Sequence, residues 1–280
     1  MTIQKEEGAL TERAVPGPAL FYTAVTPEQP RAYVGFLHGY ADHGARYAHV
    51  MQAWAERGIA TVALDMRGHG RAEGTRGHCT RFDEYKDDAA ELARMVRDRA
   101  AGAACFLCGH SFGGLVAAST VLGAPATYRG VLLSAPYFGL GMEVPAAKIA
   151  LGKLASRIFP KLALPAGIKG TDLTHDPAQA VAYEGDPLVF KKATARWFVE
   201  ATRAQALALA RARELSLPLY VVFGAEDHVA KPAAGKAFFD RAGSPDKTWD
   251  ERKGLFHEVL HEPEGGAIAG TMAEWMLKRA

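Results

Sequence analysis

The chain has 280 residues, of which 49% are hydrophobic and 23% charged, and its formal net charge at pH 7 is +2. This composition is typical of a globular protein with one large domain or two small ones. Basic residues form no long run interleaved with aromatic residues, so no nucleic-acid partner is expected. No apolar stretch has the length of a membrane span, and the first seven residues lack the apolar segment of a secretory signal, which predicts a cytoplasmic location.

The N-terminal third is predicted to begin with two short strands, at 8–13 and 20–25, that form an antiparallel hairpin at the edge of a sheet. Apolar strands follow at 32–37 and 59–64, and each ends in a polar loop rich in glycine and histidine. A helix pattern lies between these two strands. Apolar residues at helical spacing among many charges predict a surface helix over 82–99.

The chain has three cysteines, Cys79, Cys105 and Cys108, and this odd count argues against a disulfide framework. Cys105 and Cys108 lie in a predicted strand, where side chains three positions apart point to opposite faces. We therefore expect buried structural thiols rather than a redox pair.

The strongest local signal is the sequence Gly109-His110-Ser111-Phe112-Gly113. A buried-looking run precedes it and a helix pattern of small residues follows it, which predicts a strand, a tight turn and a helix with a serine at the apex. The strained turn leaves room only for glycine at 109 and 113. Ser111 is therefore the candidate nucleophile, exposed at a helix N-terminus that favours negative charge.

The second half of the chain is predicted to contain three more strands, at 130–133, 217–223 and 247–251, and a closing helix from about 263. Apolar strands that alternate with helices indicate an α/β protein with a mostly parallel sheet and helices on both faces. The residues between the first two of these strands carry no buried strand. They are predicted to form helices broken by prolines, a cap over the edge of the sheet where ligands bind. The expected division is a core at 1–136 and 215–280 with a cap at 137–214.

One part of the cap, residues 146–164, combines an apolar set with four basic residues and no acidic one, the basic residues being Lys148, Lys153, Arg157 and Lys161. A basic amphipathic helix can lie on a lipid surface, which would make the protein peripheral at the membrane. The alternative, which we favour, is a cap helix whose apolar face lines a substrate tunnel and whose basic side chains are solvated.

A serine nucleophile needs a base, and the base is usually a histidine held by a carboxylate. Asp227 follows the predicted strand at 217–223, and His257 follows the strand at 247–251, so the order is serine, acid, histidine. We predict that Asp227 and His257 complete a triad with Ser111. The weaker candidates are His110, His228 and His261 for the base, and Glu226, Asp246 and Asp250 for the acid.

The oxyanion that forms during attack on an ester needs preorganised N–H donors. The backbone N–H of Phe112, directly after the nucleophile, is predicted to be one donor. The second is expected from the loop after the strand at 32–37, where Gly39 permits a close approach and the Tyr40 N–H is the best candidate.

Five of the ten histidines lie between His38 and His78, which raises a metal site as an alternative. However, His38, His43 and His49 show neither the i, i+4 spacing nor the acidic partners of a zinc helix. We expect these histidines to fix the two glycine-rich loops by hydrogen bonds, and we expect no metal and no cofactor.

Several segments together resemble one known family, and they are His38-Gly39-x-x-x-His43-x-x-Arg46-Tyr47, Asp65-x-Arg67-Gly68-His69-Gly70-x-x-x-Gly74, Gly109-His110-Ser111-Phe112-Gly113-Gly114, Asp186-Pro187-Leu188, Gly224-Ala225-Glu226-Asp227-His228 and Phe256-His257-Glu258. With these motifs the chain resembles the monoacylglycerol lipases and lysophospholipase-like serine hydrolases of the α/β-hydrolase fold. The resemblance spans nearly the whole chain, and Phe112 departs from it, since methionine is frequent there.

The resemblance implies hydrolysis of single-chain acyl esters, monoacylglycerols above all, through an acyl-enzyme on Ser111. It implies an apolar acyl tunnel under the cap and a polar end lined by Arg46 and Tyr183. The implied partner is a small lipid ester. An esterase, lactonase or lysophospholipase with the same fold remains an alternative, and the oligomeric state is left open.

Overall fold

The structure is a computed structural model that describes residues 2–123, 127–141 and 146–280, the last range with side chains from Ala150 onward. The described residues form strands β1 (Ile3–Leu10), β2 (Leu20–Pro27), β3 (Ala32–Leu37), β4 (Ile59–Asp65), β5 (Ala104–His110), β6 (Gly130–Ser134), β7 (Ala163–Pro165), β8 (Lys192–Thr194), β9 (Leu219–Gly224) and β10 (Lys247–Arg252). The α-helices are α1 (Ala48–Ala55), α2 (Asp83–Ala100), α3 (Phe112–Val121), α4 (Ala146–Ile158), α5 (Pro177–Gly185), α6 (Ala195–Arg211), α7 (Pro232–Arg241) and α8 (Gly265–Leu277).

Eight of the strands form one sheet in the order β1-β2-β4-β3-β5-β6-β9-β10. From β4 to β10 every neighbouring pair is parallel, and β2 pairs antiparallel with β1 and with β4. The strand order reverses at β3, because β4 is added on one side of it and β5 on the other, so the loops after β3 and β5 meet at one edge of the sheet. The predicted mostly parallel α/β-hydrolase sheet is confirmed.

The N-terminal hairpin differs from the prediction in two ways. β1 covers Ile3–Leu10 rather than 8–13, and β2 is an interior strand with partners on both sides rather than an edge strand. β1 is polar and largely exposed because it pairs with β2 alone at the edge of the sheet. Its sequence therefore lacks the alternating apolar residues by which a strand is predicted. β1 is thus the edge strand, and its lysine and glutamates discourage pairing with another chain.

Helices cover both faces of the sheet and divide the core in two. One cluster packs α2, α3 and α7 against the sheet, and the other packs α1 and α8 against the opposite face. Cys105 lies in the first cluster and Cys108 in the second, and both are buried free thiols. The prediction that these side chains point to opposite faces is confirmed.

Between β6 and β9 the chain leaves the sheet and forms α4, α5 and α6 with the short antiparallel pair β7 and β8. The sequence predicted only helices here, because β7 and β8 have three residues each and no alternating pattern. The exact cap boundaries at 137 and 214 stay a prediction. Among the described residues no helix combines the length and the apolar character that crossing a membrane requires.

Candidate active site

Ser111 lies at the apex of the turn between β5 and α3, with φ 51° and ψ −117°. A Cβ atom added at Gly109 would lie 2.2 Å from the carbonyl oxygen of Gly113, and one added at Gly113 would lie 2.2 Å from that of Leu37. These approaches are far below van der Waals contact, so only glycine fits at either position. The strained turn that the sequence predicted is present, and it projects the serine from the N-terminus of α3.

The structure brings the three predicted catalytic side chains together. Nε2 of His257 lies 2.8 Å from Oγ of Ser111, and Nδ1 of His257 lies 2.7 Å from Oδ2 of Asp227. The other oxygen of Asp227 accepts the N–H groups of Val229 and Ala230 at 2.8 and 2.9 Å. The carboxylate is thereby fixed in orientation, and the imidazole is held as the tautomer that presents a bare Nε2 to the serine hydroxyl.

His257 is buried, with 3% of its surface exposed, and its charge depends on its partners. Burial alone would lower the pKa of this imidazole, but the charge of Asp227 and its hydrogen bond outweigh burial and raise the pKa above the ordinary value. A general base is most effective when its pKa lies near the working pH, so this shift suits His257 for proton transfer near neutral pH.

Four of the weaker candidates for the acid or the base do not join this hydrogen-bonded series. Glu226 and His228 are exposed. Asp246 pairs with Arg279 and Asp250 pairs with Arg252, so neither carboxylate faces the histidine.

Two further histidines that competed for the role of base lie inside the protein. His110 is buried beside Ser134, and burial holds its pKa well below the ordinary value. His261 is buried too, and its Nε2 lies 3.1 Å from the backbone oxygen of Arg46. Neither ring reaches the serine hydroxyl.

The loop after β3 lies against the nucleophile. A Cβ added at Gly39 would be 3.5 Å from Cβ of Ser111, so this backbone passes directly over the serine. In the part of the chain that the structure describes, neither the Tyr40 N–H nor the Phe112 N–H has a hydrogen-bond acceptor. Both residues line the cavity above Ser111, and their role as oxyanion donors stays a prediction.

His38 shows why this loop is rich in histidine. Its Nε2 accepts the N–H of Met66 at 3.0 Å, and its Nδ1 lies 2.7 Å from the carbonyl oxygen of Gly39, to which it therefore donates. His69 similarly bonds the carbonyl oxygen of Arg67. These bonds confirm that the two histidines fix the glycine-rich loops.

A cavity of about 780 Å³ opens above Ser111 and runs under the cap. The side chains that line it are mostly apolar and come largely from the cap, among them Leu151, Leu154, Ile158, Phe159, Leu162 and Ile168. Leu151 and Phe159 remain 65% and 66% exposed, so this apolar wall also forms the mouth of the cavity. The size is that of a site for one small molecule.

The end of the cavity beside His257 is polar. Asp42, Glu258 and Tyr183 lie on its wall. Arg46 lies behind them rather than on the wall: its guanidinium binds Glu258 through two hydrogen bonds of 2.9 and 2.8 Å and lies 3.1 Å from Asp42. Burial opposes all these charges, but it is outweighed by the attraction between Arg46 and the two carboxylates and by His261, whose Nδ1 lies 3.2 Å from Glu258. The pKa of both carboxyls is therefore below, and that of Arg46 above, the ordinary value.

Sequence reasoning missed Asp42 and Glu258 as wall residues. Both had a local signal, because Asp42 stands four positions before Arg46 and Glu258 directly follows His257. It also missed Trp197, whose position in the cavity wall depends on how α6 packs and has no local signal.

The sheet topology and the nucleophile turn define the chain as an α/β hydrolase. The family described as serine aminopeptidase, S33, matches residues 28–264, and the chain belongs to this hydrolase family.

Similar proteins of known name confirm the resemblance of this chain to monoacylglycerol lipases. The chain is 29% identical to a monoacylglycerol lipase of Mycolicibacterium smegmatis over 265 residues, which cover 94% of each chain. It is also 29% identical to a phospholipase of Bacillus subtilis over 239 residues, which cover 85% of this chain and 92% of the relative.

Solved structures show the same fold. The monoglyceride lipase of Saccharomyces cerevisiae has a TM-score of 0.87 at 18% identity, and the match covers 97% of this chain and 95% of the yeast chain. The Paleococcus ferrophilus monoacylglycerol lipase has a TM-score of 0.82 at 24% identity and covers all of both chains. The structural likeness therefore includes the cap as well as the core.

Proposed function

We propose that the protein is a serine carboxylester hydrolase that cleaves single-chain acyl esters, monoacylglycerols above all, through an acyl-enzyme on Ser111. The observation that carries this proposal is the hydrogen-bonded series Ser111, His257, Asp227 at the floor of a cavity with apolar walls. A serine activated in this way attacks a carbonyl, and apolar walls accept an acyl chain.

In the first half of the reaction, His257 takes the proton of the Ser111 hydroxyl while the serine oxygen attacks the ester carbonyl. The N–H groups of Tyr40 and Phe112 stabilise the oxyanion, and Asp227 stabilises the imidazolium. His257 then gives the proton to the alcohol, which leaves. In the second half, His257 takes a proton from a water molecule as the water oxygen attacks the acyl carbon, and it returns that proton to the Ser111 oxygen as the fatty acid departs.

The polar end of the cavity favours an uncharged alcohol. Asp42 and Glu258 carry two negative charges against one positive charge on Arg46, and all three groups are largely buried. The ammonium of Lys191, 3.5 Å from the centre of the Tyr183 ring, is balanced by Glu184 at 3.2 Å. Because the carboxylates of Asp42 and Glu258 are buried away from water, they repel an anionic group of a ligand more strongly than exposed carboxylates would. A glycerol head group can accept and donate hydrogen bonds there, whereas the phosphate of a lysophospholipid would be repelled. This contrast favours monoacylglycerols over the lysophospholipase alternative.

Labelling with a fluorophosphonate probe tests the chemistry. The protein should be labelled at Ser111, and Ser111→Ala should abolish the label. Ser119→Ala is the matched control, since Ser119 lies two turns further along α3 and is expected to leave labelling unchanged. A folded protein that never labels would contradict the proposal.

Hydrolysis of esters with acyl chains of two to eighteen carbons tests the substrate class. Medium or long chains should be preferred with a glycerol head group, because each buried methylene adds about 0.8 kcal/mol of binding. The same acyl chain on lysophosphatidic acid should be cleaved more slowly. A preference for acetyl esters, or for the phosphate head group, would favour the esterase or lysophospholipase alternative.

We also propose that the cap contacts anionic membrane surfaces, which would place the protein peripherally at the membrane. Along α4 and the residues after it, Leu151, Leu154, Ile158 and Phe159 are more than half exposed at the cavity mouth. Lys153 and Arg157 are exposed on the same helix, whereas the side chains of Lys148 and Ile149 lie outside the described part of the structure. A helix that exposes both apolar and basic side chains matches the chemistry of an anionic lipid surface.

Sedimentation with vesicles that contain phosphatidylserine tests this contact. Binding should weaken as salt rises, and the double variant Lys153→Glu, Arg157→Glu should bind several-fold less. The control pair Lys5→Glu, Arg97→Glu makes the same change in charge at exposed positions outside the cap. If both double variants lost vesicle binding equally, the effect would come from net charge in general, and this result would contradict docking through the cap.

A further inference from the structure

A group of aromatic rings joins the two predicted oxyanion residues to the cap. The Tyr40 ring stacks on the indole of Trp197 in α6, with the ring centres 3.6 Å apart and the planes at 29°. The Phe112 ring meets the same indole edge-on at 5.2 Å. Trp197 is 5% exposed, so this one cap side chain is held tightly against the side chains of both residues.

Hydrogen bonds reinforce the aromatic contact. The Tyr40 hydroxyl lies 3.0 Å from the carbonyl oxygen of Gly77 in the core and 3.1 Å from that of Lys192 in β8 of the cap. The Thr194 hydroxyl donates to the same Gly77 oxygen at 2.9 Å and accepts the N–H of Trp197 at 3.3 Å. Thr194 thus caps α6 and fixes Trp197 relative to the core.

The backbone of the loop is held by the cap as well. Ala41 adopts φ 63°, a left-handed conformation that costs a residue other than glycine free energy. Its carbonyl oxygen accepts the N–H of Phe190 from the cap at 3.3 Å. The conformation of the loop after β3 therefore depends on contacts that the core alone does not supply.

These contacts matter because an oxyanion hole works through preorganisation. Loss of a single donor costs roughly 10²–10³ in kcat in other enzymes, and the effect depends on donor positions within tenths of an ångström. We infer that Trp197 is a positioning residue: the cap, through Trp197 and the Tyr40 side chain, sets the N–H donors of Tyr40 and Phe112, and the oxyanion hole is complete only with the cap seated as in this structure. The inference rests on the proposed function, since it assumes that Ser111 attacks an ester.

Kinetics with p-nitrophenyl acetate separate positioning from acyl binding. The acetyl group is too short to use the apolar cavity, so a change in rate reports on the reacting centre. Trp197→Ala should lower kcat by about tenfold or more, part of the full effect of losing one donor. KM should change less, and the pH midpoint of kcat/KM should stay in place because Trp197 contacts neither His257 nor Asp227.

A tetrahedral adduct gives a second measurement. Methylboronic acid forms a covalent adduct with a serine oxygen and places an oxygen in the oxyanion hole. Its inhibition constant should rise in Trp197→Ala by a factor similar to the loss in kcat. Trp197→Phe, which keeps an aromatic ring against Tyr40, should restore most of both quantities.

The controls distinguish positioning from general damage to the cap. Leu209→Ala removes an apolar side chain from the same helix, packs on the core away from the cavity and should leave kcat unchanged. If Trp197→Ala does not fold, Tyr40→Leu provides the test, because it keeps the N–H donor but removes the stacking ring and the hydroxyl. Tyr40→Leu should also lower kcat with a smaller change in KM, and it should raise the inhibition constant of methylboronic acid.

Retained kcat and retained boronic acid affinity in folded Trp197→Ala, or in Tyr40→Leu, would overturn the inference. A parallel loss in Leu209→Ala would also overturn it. Failure of the proposed function looks different, since the wild-type protein itself would then not react with fluorophosphonate or hydrolyse p-nitrophenyl acetate.

Discussion

At the scale of single residues, the site depends on two glycines that leave space in the turn and on one carboxylate that carries charge. Glycine at 109 and 113 lets the turn close on the loop after β3, which brings Ser111 beside the Gly39 backbone. Asp227 controls the charge of His257 in the same small volume. The absence of a side chain at two positions thus lets Ser111 and His257 meet, and one carboxylate sets the charge state of the imidazole.

Gly113→Ala should abolish activity and destabilise the fold. The new methyl group would lie 2.2 Å from the Leu37 carbonyl oxygen, so the turn or β3 must move, at a cost of about 1–3 kcal/mol. Urea unfolding and fluorophosphonate labelling measure the two effects. Gly266→Ala in α8 is the control, because nothing lies within 4 Å of its added methyl group and the variant should be slightly stabilised. Full labelling of Gly113→Ala would contradict this account of the turn.

The pH profile should report His257. The imidazole must be neutral to accept a proton, so kcat/KM should rise with pH through a midpoint above the ordinary histidine value of about 6.5. Asp227→Asn removes the charge that raises this pKa, so the midpoint should fall while the maximal rate drops by roughly 10³–10⁴. A midpoint that does not move in Asp227→Asn would assign the titration to another group.

At the scale of elements, the site is assembled from loops at the carboxyl ends of β3, β5, β9 and β10. The bidentate pair of Arg46 and Glu258 joins the turn that precedes α1 to the loop that carries His257. Asp42 completes the pair from the loop that carries Tyr40. One buried guanidinium therefore links the loop of the base to the loop of the predicted oxyanion donor.

Arg46→Met should destabilise the protein by about 3–5 kcal/mol at pH 7, because it leaves Asp42 and Glu258 buried without their partner. In the wild type both carboxyl pKa values are lowered, so their contribution to stability is present above the ordinary carboxyl pKa and is lost as the pH falls through the lowered values. In Arg46→Met the two carboxylates repel each other, so their folded pKa values should rise and acid should relieve the destabilisation.

Urea unfolding between pH 4 and pH 7 measures this difference. The gap in free energy of unfolding between wild type and Arg46→Met should narrow as the pH is lowered. Arg46→Lys retains the charge but not the two-pronged geometry, and it should lose less stability than Arg46→Met. A gap that is the same at every pH would show that packing, rather than charge, explains the cost.

At the scale of the whole molecule, long-range ionic contacts hold distant segments around the sheet. Asp88 of α2 is fully buried and binds Arg13, which follows β1, and Arg67, which follows β4, at 2.6–2.9 Å. It also accepts the backbone N–H of Arg67 at 3.0 Å. The N-terminal hairpin, the second glycine-rich loop and α2 are thereby fixed to one another.

Asp88→Asn should therefore destabilise the fold by about 3–5 kcal/mol, because buried Arg13 loses its carboxylate partner and Arg67 keeps only the longer contact of 3.6 Å to Glu84. Thermal or urea unfolding measures the change. Asp98→Asn on the same helix, where the side chain is 64% exposed, should change stability by less than about 0.5 kcal/mol. If both variants lost a similar free energy of unfolding, the cost would come from changing the helix in general rather than from the buried ionic contact.

The sequence by itself determined the parallel sheet, the strained turn at Ser111 and the order of serine, acid and histidine. These features are local: buried strands, glycine spacing and strand ends are each visible within a few residues. The selection of Asp227 over Asp246 and Asp250 also followed from its place after a strand. The structure places Ser111 and Asp227 each within hydrogen-bonding distance of His257, as that order predicts.

Only the tertiary structure decided how distant segments meet. It put β2 inside the sheet, paired β7 with β8, placed Arg46 behind the cavity wall and set Trp197 against Tyr40 and Phe112. Each of these contacts joins residues far apart in the chain and depends on packing and burial, which act on surfaces rather than on sequence neighbours. The candidate nucleophile, acid and base could therefore be predicted from the sequence, whereas the residues that form the walls of the cavity could not.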